Sequence, residues 1–336
     1  MMSQPRPAGV LVRTPATSAN LGPGFDALGL SLGLHDEIEV AVRDDDRVTV
    51  DIVGEGADDL PRDASHLVVT AMRRTFEASG HSLPGLDLRC RNNIPHGRGL
   101  GSSASAIVAG VTAAAVLLGK GDPATGELDR DHVFKVAADI EGHPDNVAPC
   151  VYGGFTIAWR GAAGWGALAL PPSPRLRPVV CIPDEQLSTE RARGLLPEAV
   201  PHADAAFTAG RSALLVAAVS GHPEMLLEAT EDRLHEHFRE PAMPASAALI
   251  HELRKDARLP AVVSGAGPTV LVLGHAPVAD ANDEIPDVVG NVAQISGDLV
   301  DSIRERTGTG WHIRPLTIDP AGVWISSPRS LTCVEE

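Results

Sequence analysis

The 336-residue sequence predicts a folded protein of two domains in which α-helices pack on β-sheets. Its length favours two domains over one. Hydrophobic residues make up 43% of the chain but aromatic residues only 3%, so Ala, Val, Leu and Ile must fill the core, which suits layers of helices and sheets. Strand-like alternation and helical spacing of apolar residues also occur in the same chain.

The first half of the chain interleaves the two patterns. The predicted strands are 10–13, 37–43, 48–53, 86–91 and 153–159. The predicted helices are 65–79, 103–118 and 131–141. Helix 103–118 is almost uniformly apolar and is therefore expected to be buried between layers. Residues 161–177 are rich in Gly, Ala and Pro and are expected to connect the domains.

The second half is richer in helices. The predicted helices are 189–195, 204–220, 223–230, 245–255 and 292–306. The predicted strands are 178–182, 261–264, 269–273 and 311–317. Residues 277–287 are expected to form a surface loop, and the tail after Ser326 is expected to be loose.

Charge and cysteine content narrow the class of protein. A formal net charge of −16 disfavours nucleic acid as a partner, because neutralising its phosphates requires a surplus of Lys and Arg. The longest apolar stretch, 104–118, is shorter than the roughly 20 residues of a membrane helix. The N-terminus does not resemble a signal peptide. Four scattered cysteines indicate neither a disulfide framework nor a zinc site, so a cytoplasmic location is expected.

The strongest local signal is the segment Pro95–Ser105, which joins a predicted strand to the buried helix. Its glycines allow close approach of the backbone, and N–H groups at a helix start bind anions. Ser102 and Ser103 supply hydroxyls for a phosphate or for its metal ion. The lysine of a Walker A motif is absent. Taken alone, the segment indicates an anion site or a Gly- and Ser-rich turn that caps a helix.

Two other glycine-rich segments, Asn20–Asp26 and Ser264–Thr269, follow predicted strands. The first combines tight-turn residues with an amide and a carboxylate, and it could be a structural turn. The second could be a hairpin or a backbone wall against a ligand.

Together the three segments resemble, in order and spacing, the three motifs of the GHMP kinases. Within that superfamily, Pro15–Asp26 (PATSANLGPGFD) resembles the homoserine kinase branch, as do Glu141–Pro149 and Leu187–Arg193. The resemblance implies a two-domain α+β fold with the active site between the domains. Residues 1–165 would contain a left-handed βαβ crossover, and residues 166–336 would be ferredoxin-like.

The resemblance also implies residues for ATP and magnesium. The residues expected to bind the ATP phosphates are Pro95, His96, Gly97, Arg98, Gly99, Leu100, Gly101, Ser102 and Ser103. Ser103 and Glu141 are expected to hold Mg²⁺, with Asp139 as the alternative acidic ligand. His66 would lie at the edge of the adenine pocket, or else on the surface of a helix.

For the substrate, the resemblance implies six side chains. They are Asn20, Asp26, His143, Asn146, Arg193 and Arg239. The two arginines would bind a carboxylate, because a guanidinium donates two parallel hydrogen bonds to it, although such arginines more often form surface ion pairs. Asp26, Asn146 and Asn20 are the expected catalytic residues. Some relatives carry an aspartate at Asn146, so catalysis is expected to rest on orientation and charge stabilisation.

The implied activity is phosphorylation of the L-homoserine hydroxyl by MgATP, a step toward threonine. The alternatives are a kinase for another small hydroxy amino acid or alcohol, and a catalytically silent relative that binds a metabolite. A homodimer is the expected assembly. The isolated histidines His235, His237 and His251 are expected to be solvated helix residues.

Overall fold

The computed structural model describes residues 8–276 and 297–328, which form two large sheets covered by helices and a third sheet of two short strands, Gly121–Asp122 and Glu127–Leu128. The strands are β1 (Gly9–Ala19), β2 (Leu28–Val42), β3 (Val48–Gly54), β4 (Leu86–Asn92), β5 (Gly121–Asp122), β6 (Glu127–Leu128), β7 (Phe155–Gly161), β8 (Gly164–Leu170), β9 (Leu176–Pro183), β10 (Ala261–Val263), β11 (Val270–His275), β12 (Trp311–Pro315) and β13 (Trp324–Ser326). The helices are α1 (Leu67–Ala78), α2 (Ser102–Leu117), α3 (Arg130–Glu141), α4 (Val147–Tyr152), α5 (Thr189–Arg193), α6 (His202–Ser220), α7 (Leu226–Ala229), α8 (Glu236–Arg239) and α9 (Pro244–Lys255). Residues 297–304 are also helical, and short 3₁₀ turns cover Pro223–Met225 and Glu240–Ala242.

The first sheet has seven strands, and its central path runs β13-β1-β2-β4-β3. β7 pairs with β2, and β8 pairs with β7. β3 and β4 pair in parallel, with α1 between them in the chain, and this is the βαβ crossover of the sheet. The other pairs in this sheet are antiparallel. The observed mixture of helices and sheets confirms the predicted α+β class.

Helix α2 lies in the main core, as its uniform apolar sequence predicts. Thirteen of its sixteen residues are buried. Gly110 allows α2 to approach α1 closely, because a Cβ atom at this position would overlap the carbonyl oxygen of Val68. The start of α2, and with it the phosphate loop, is therefore fixed by dense packing on both sides.

The second sheet has the antiparallel order β10-β11-β9-β12. One hydrophobic cluster contains side chains of both sheets, including Leu28 and Leu30 of β2 and Val180 and Leu271 of the second sheet. The two sheets thus share buried apolar contacts, which hold the loops between them in a defined geometry.

The predicted connection 161–177 is wrong in part. Gly164–Leu170 is a strand that pairs along its whole length with β7. Its alternation of glycine and alanine with larger residues hid the strand, because these small residues have little strand preference. The division into 1–165 and 166–336 stays a prediction; β8 of the first sheet ends at Leu170, and β9 of the second sheet begins at Leu176. β13 returns from the end of the described chain to pair with β1.

Two further differences concern helices. α4 was not predicted, since its six residues are too few for a helical pattern. The predicted helix 223–230 is a 3₁₀ turn followed by the short α7. The predicted loop 277–287 and the start of the predicted helix 292–306 lie outside the described residues. Among the helices of residues 8–276 and 297–328, none combines the length and the apolar character needed to cross a bilayer.

Candidate active site

The phosphate loop runs from β4 to the start of α2, as the sequence predicts. Gly97, Gly99 and Gly101 all have positive φ, between 64° and 78°, a conformation that glycine adopts without steric cost. A Cβ at Gly99 would overlap the carbonyl oxygen of Ser264, and one at Gly101 would overlap Thr17 Oγ1. The matched motifs Pro15–Asp26 and Ser264–Thr269 therefore both contact this loop.

Several loop side chains fix its shape instead of facing a ligand. Arg98 donates to the carbonyl oxygens of Pro183 (2.9 Å) and Asp184 (2.8 Å) at the end of β9. Leu100 is buried, with 1% of its surface exposed. His96 Nδ1 lies 2.6 Å from Ser102 Oγ. Arg98, in particular, has its guanidinium committed to the backbone of the second sheet.

A cavity of about 450 Å³ opens in front of the loop. Its lining includes residues 95–103, His66, Glu141, Asn146, Leu187 and Gly265–Gly267. All three segments singled out in the sequence border this cavity or contact its walls. Its volume lies within the range of ligand pockets.

The expected metal ligands lie together at the start of α2. Ser103 donates a hydrogen bond to Glu141 Oε2 at 3.0 Å, and both residues line the cavity. Burial raises the pKa of Glu141, and the hydrogen bond from Ser103 only partly opposes it. Asp139 instead accepts a hydrogen bond from Trp165 Nε1 at 2.7 Å, so of these two acidic residues Glu141 is the one that lines the cavity.

His66 lies in the cavity wall and is 4% exposed, so its position is that of a pocket residue. Its Nδ1 is buried and has no hydrogen-bond partner among the described groups. Burial, together with the neighbouring His96, lowers the pKa of His66. A neutral ring with a free nitrogen in a nucleotide-sized cavity fits the edge of an adenine pocket.

Asn20 joins the first glycine-rich segment to the third. Its Nδ2 donates to the Gly265 carbonyl oxygen at 2.7 Å, and its Oδ1 accepts from the Asp26 backbone N–H at 2.9 Å. Asn20 and Asp26 have φ values of 67° and 55°, and such left-handed conformations are uncommon outside glycine. This turn holds the Asp26 carboxylate at a fixed place beside the cavity.

Arg193 and Arg239 both converge on this turn. Arg193 forms a two-pronged ion pair with Asp26, at 2.6 and 3.1 Å. Burial opposes the charge on Arg193, but the hydrogen bonds and charge of Asp26, together with the charge of Asp145, outweigh it and raise the pKa of the guanidinium. Arg239 is 1% exposed, and both guanidinium carbons lie against the ring of Phe25, 5.5 and 5.3 Å from its centroid. Arg239 is therefore a buried residue, whereas Arg193 forms a partly exposed ion pair with Asp26, with 32% and 37% of the two side chains exposed.

Asn146 and His143 lie in the turn between α3 and α4. Thr17 Oγ1 donates to Asn146 Oδ1 at 2.8 Å, which leaves the amide Nδ2 as a donor at the cavity. His143 is half-buried, and burial together with the charge of Arg193 lowers its pKa. Together with Asn20, Asp26, Arg193 and Arg239, these two residues form a group beside the cavity, which is called the substrate cluster below.

Asp145 is a candidate that the sequence reasoning missed. It is 4% exposed, and its Oδ1 accepts from the Asn146 backbone N–H at 3.1 Å. Burial, reinforced by the charge of Asp26, raises the pKa of Asp145 to about 7. The available signal was its place next to Asn146 in the segment Glu141–Pro149.

The prediction that His235 is solvated is wrong. Its side chain is fully buried, and Nε2 lies 2.7 Å from the Gly22 carbonyl oxygen. Arg239 donates to His235 Nδ1 at 3.2 Å. The cause is tertiary: the four-residue helix α8 docks under the first glycine-rich segment. His237 and His251 are exposed, as predicted.

Comparison with known proteins agrees with this geometry. Residues 66–154 match the family described as GHMP kinases N terminal domain. The chain is 49% identical over 317 residues to the homoserine kinase of Streptomyces avermitilis, covering 94% of this chain and 95% of that protein. It is 53% identical over 268 residues to the homoserine kinase of Clavibacter michiganensis, covering 80% and 83%. The chain belongs to the homoserine kinase family of GHMP kinases.

Solved structures extend the likeness to the whole fold. The homoserine kinase of Cytophaga hutchinsonii superimposes with a TM-score of 0.76 at 26% identity, covering 97% of this chain and 99% of that one. The fold of the mevalonate kinase of L. major is also similar, with a TM-score of 0.63 at 14% identity, covering 95% of this chain and 99% of that one. Membership of the homoserine kinase family makes the protein a kinase, and its use of ATP follows from the family.

Proposed function

We propose that the protein transfers the γ-phosphoryl group of ATP to the side-chain hydroxyl of L-homoserine, giving O-phospho-L-homoserine and ADP. The observation that carries this proposal is the convergence of Arg193 and Arg239 on Phe25, beside the carboxylates of Asp26 and Asp145. Two guanidiniums and two carboxylates in one cluster are complementary to the carboxylate and ammonium groups of an amino acid. A neutral alcohol would offer the buried Arg239 no carboxylate partner.

Arg239 is the better placed of the two arginines to hold the substrate carboxylate. It forms no ion pair with a carboxylate of the described residues, and its Nη1 has only long contacts, of 3.2 and 3.3 Å, with His235 and Gly265. Arg193 is already paired with Asp26. A second carboxylate beside Arg239 would therefore complete its hydrogen bonding.

Catalysis in this proposal depends on alignment of the reactants and on neutralisation of the charge on the phosphoryl group. Asn146 lacks a proton acceptor strong enough for a general base, and its Oδ1 is already bound to Thr17. Its Nδ2 can donate to an oxygen of the hydroxyl or of the phosphoryl group. The turn built on Asn20 fixes Asp26, which orients the substrate. Phosphoryl transfer requires mainly such alignment and neutralisation of charge on the phosphoryl oxygens.

Mg²⁺ is part of this proposal, and the residues at the start of α2 suit it. Glu141 and Ser103 offer only oxygen atoms, which a hard cation prefers. The half-buried Glu141 carboxylate accepts one hydrogen bond and has a raised pKa, so a cation would stabilise its charged form. When bound, the ion would neutralise charge on the ATP phosphates.

The decisive experiment measures ADP release from MgATP by the purified protein. L-homoserine is compared with L-serine, L-threonine, mevalonate and galactose at equal concentrations. Strong stimulation by homoserine alone is the expected result. Stimulation by a different alcohol would support the kinase activity but would show that homoserine is not the substrate.

A silent metabolite-binding relative would show no turnover with any of the five compounds. Thermal stabilisation by MgATP separates the remaining cases, since a protein that does not bind nucleotide would not be stabilised.

We further propose a cytoplasmic homodimer. Cys90, Cys150 and Cys181 are buried free thiols, which fits a reducing compartment. Light scattering of the purified protein would test the dimer.

A further inference from the structure

The start of α1 forms part of the wall of the cavity in front of the phosphate loop, the nucleotide cavity. Ser65, His66, Leu67 and Val68 all line this cavity. No side chain caps α1, and its first turn contains no acidic residue. The first N–H groups of a helix have no partner within the helix, and the helix dipole makes this end positive. This wall of the cavity therefore presents hydrogen-bond donors.

His66, the residue that precedes α1, adds a further donor to this wall. Its Nδ1 is enclosed and has no hydrogen-bond partner among the described groups. Nε2 has no hydrogen bond to a described group either, but it is not among the enclosed atoms, so the cavity reaches it. Burial and His96 lower the pKa of His66, so its ring is neutral and carries one N–H at neutral pH. Enclosed N–H groups without a partner are rare in proteins, so we place this proton on Nε2.

The surroundings of His66 suit an aromatic base better than a phosphate group. Leu67 and Val68 follow it directly, and Leu60 and Pro61 line the same cavity. Apolar side chains bind an aromatic ring but leave a charged phosphate without compensation. A nucleotide whose phosphates lie at the phosphate loop is therefore expected to place its base at the start of α1.

Three other polar side chains of the lining, Asp36, Ser65 and Asn92, are held by groups outside the cavity. Ser65 Oγ donates to Asp63 Oδ1 at 2.6 Å. Asp36 Oδ1 accepts from two backbone N–H groups, at 2.7 and 2.9 Å. Asn92 Nδ2 donates to a backbone carbonyl oxygen at 3.1 Å. Of these four side chains, His66 is the one without a hydrogen bond to any described group.

We infer that this pocket accepts 6-oxopurine nucleoside triphosphates, such as ITP, as phosphoryl donors alongside ATP. The 6-carbonyl oxygen of hypoxanthine accepts hydrogen bonds, which matches the donors at the start of α1 and at His66 Nε2. It also carries the partial negative charge that the positive end of a helix favours. The 6-amino group of adenine is itself a donor, so adenine meets these donors only with its ring nitrogens. Discrimination against the 6-oxo group is therefore expected to be weak.

As a statement about phosphoryl donors, the inference rests on the proposed function. The γ-phosphoryl group of ITP passes to the hydroxyl oxygen of the acceptor, and its bond to the β-phosphate oxygen breaks. The hydroxyl proton is released to water, and IDP leaves. The base takes no part in these steps. Binding of the diphosphates needs no acceptor, so it tests the pocket independently of the proposed substrate.

The test measures the dissociation constants of MgADP, MgIDP and magnesium tripolyphosphate by titration calorimetry. The full chain is compared as wild type, His66→Leu, His66→Asn and the matched control His81→Asn. His81 is an exposed histidine that follows α1 and does not line the cavity. Leucine removes both ring nitrogens, whereas asparagine offers an acceptor that suits the 6-amino group of adenine. Tripolyphosphate has no base and reports on the phosphate loop alone.

In wild type and His81→Asn, we expect the Kd of MgIDP to lie within about tenfold of the Kd of MgADP. His66→Leu and His66→Asn should each raise the ratio of the MgIDP Kd to the MgADP Kd by about three- to tenfold, the loss expected for one hydrogen bond. The Kd of tripolyphosphate should be the same in all four proteins.

Three binding results would overturn the inference. The first is a Kd of MgIDP in wild type more than about tenfold above that of MgADP. The second is the same ratio of the two constants in wild type and in both His66 variants. The third is an equal loss of affinity for MgIDP and tripolyphosphate in His66→Leu, which would place His66 at the phosphates instead of the base.

Turnover keeps the two proposals apart. With L-homoserine, kcat with MgITP should lie within about threefold of kcat with MgATP, because contacts to the base are made equally before and during phosphoryl transfer. No turnover with either triphosphate, together with the expected binding ratios, would count against the proposed function alone. Turnover with MgATP but none with MgITP would overturn the inference.

Discussion

Replacing Asp145 by asparagine tests how the buried charges of the substrate cluster are balanced. The carboxyl group is 4% exposed and lies close to the like charge of Asp26. Asparagine has nearly the same shape, and its Oδ1 can still accept from the Asn146 backbone N–H. The substitution therefore removes the titration and preserves the local hydrogen bond.

The expected change in the free energy of unfolding follows from the shift of the Asp145 pKa. Burial and Asp26 raise the pKa of Asp145 from 3.8 to about 7, against the opposing charge of Arg193. Between these values the unfolded chain has lost the proton and the folded chain retains it, so the free energy of unfolding falls as pH rises. The slope is about 1.4 kcal/mol per pH unit, and the whole window amounts to about 4 kcal/mol.

The measurement is urea unfolding of wild type and Asp145→Asn from about pH 4 to about pH 8. Relative to wild type, the variant should gain stability across this range and level off above about pH 7. Asp58→Asn, at an exposed position, is the control and should show no such gain. A difference between wild type and Asp145→Asn that does not vary with pH would refute the reasoning.

Three further substitutions test other parts of the site. Gly101→Ala should destabilise the fold by at least ~1–2 kcal/mol, the cost of a left-handed conformation for alanine, as measured by urea unfolding. It should also raise the KM for ATP, measured kinetically, because the new Cβ displaces Thr17. Glu141→Gln should raise the Mg²⁺ concentration for half-maximal activity by about tenfold or more, and an unchanged requirement would remove Glu141 from the metal site. Arg239→Lys should raise the KM for homoserine by about ten- to a hundredfold, with the KM for ATP unchanged.

The sequence predicts the phosphate loop well because its signal is local. Glycines, serines and a following apolar helix all lie within a short stretch, and each has a direct conformational meaning. Prediction from the sequence fails where a contact between distant segments determines the local structure or the burial of a residue. β13 becomes a strand only by pairing with β1, some three hundred residues earlier in the chain. His235 is buried only because α8 docks under the turn at Gly22.

The candidate site shows the same division. Motif matching identifies Asn20, Asp26 and Asn146, but not that Asn20 ties two motifs together or that Thr17 orients the Asn146 amide. Asp145 lies within a quoted motif, and its importance becomes evident only when burial beside Asp26 is known. Contacts between residues far apart in the chain set these properties, and no window of the sequence contains them.

Few cationic side chains line the nucleotide cavity, where the charge of the ATP phosphates must be balanced. The chain has only three lysines, Lys120, Lys135 and Lys255, and none of them lines the nucleotide cavity. Arg98, the one arginine in that lining, is held by the carbonyl oxygens of Pro183 and Asp184. We therefore expect the phosphate charge to be balanced by backbone N–H groups, the start of α2 and the cation proposed to bind at Glu141. Since no lysine can substitute for that cation, turnover should depend on it strictly.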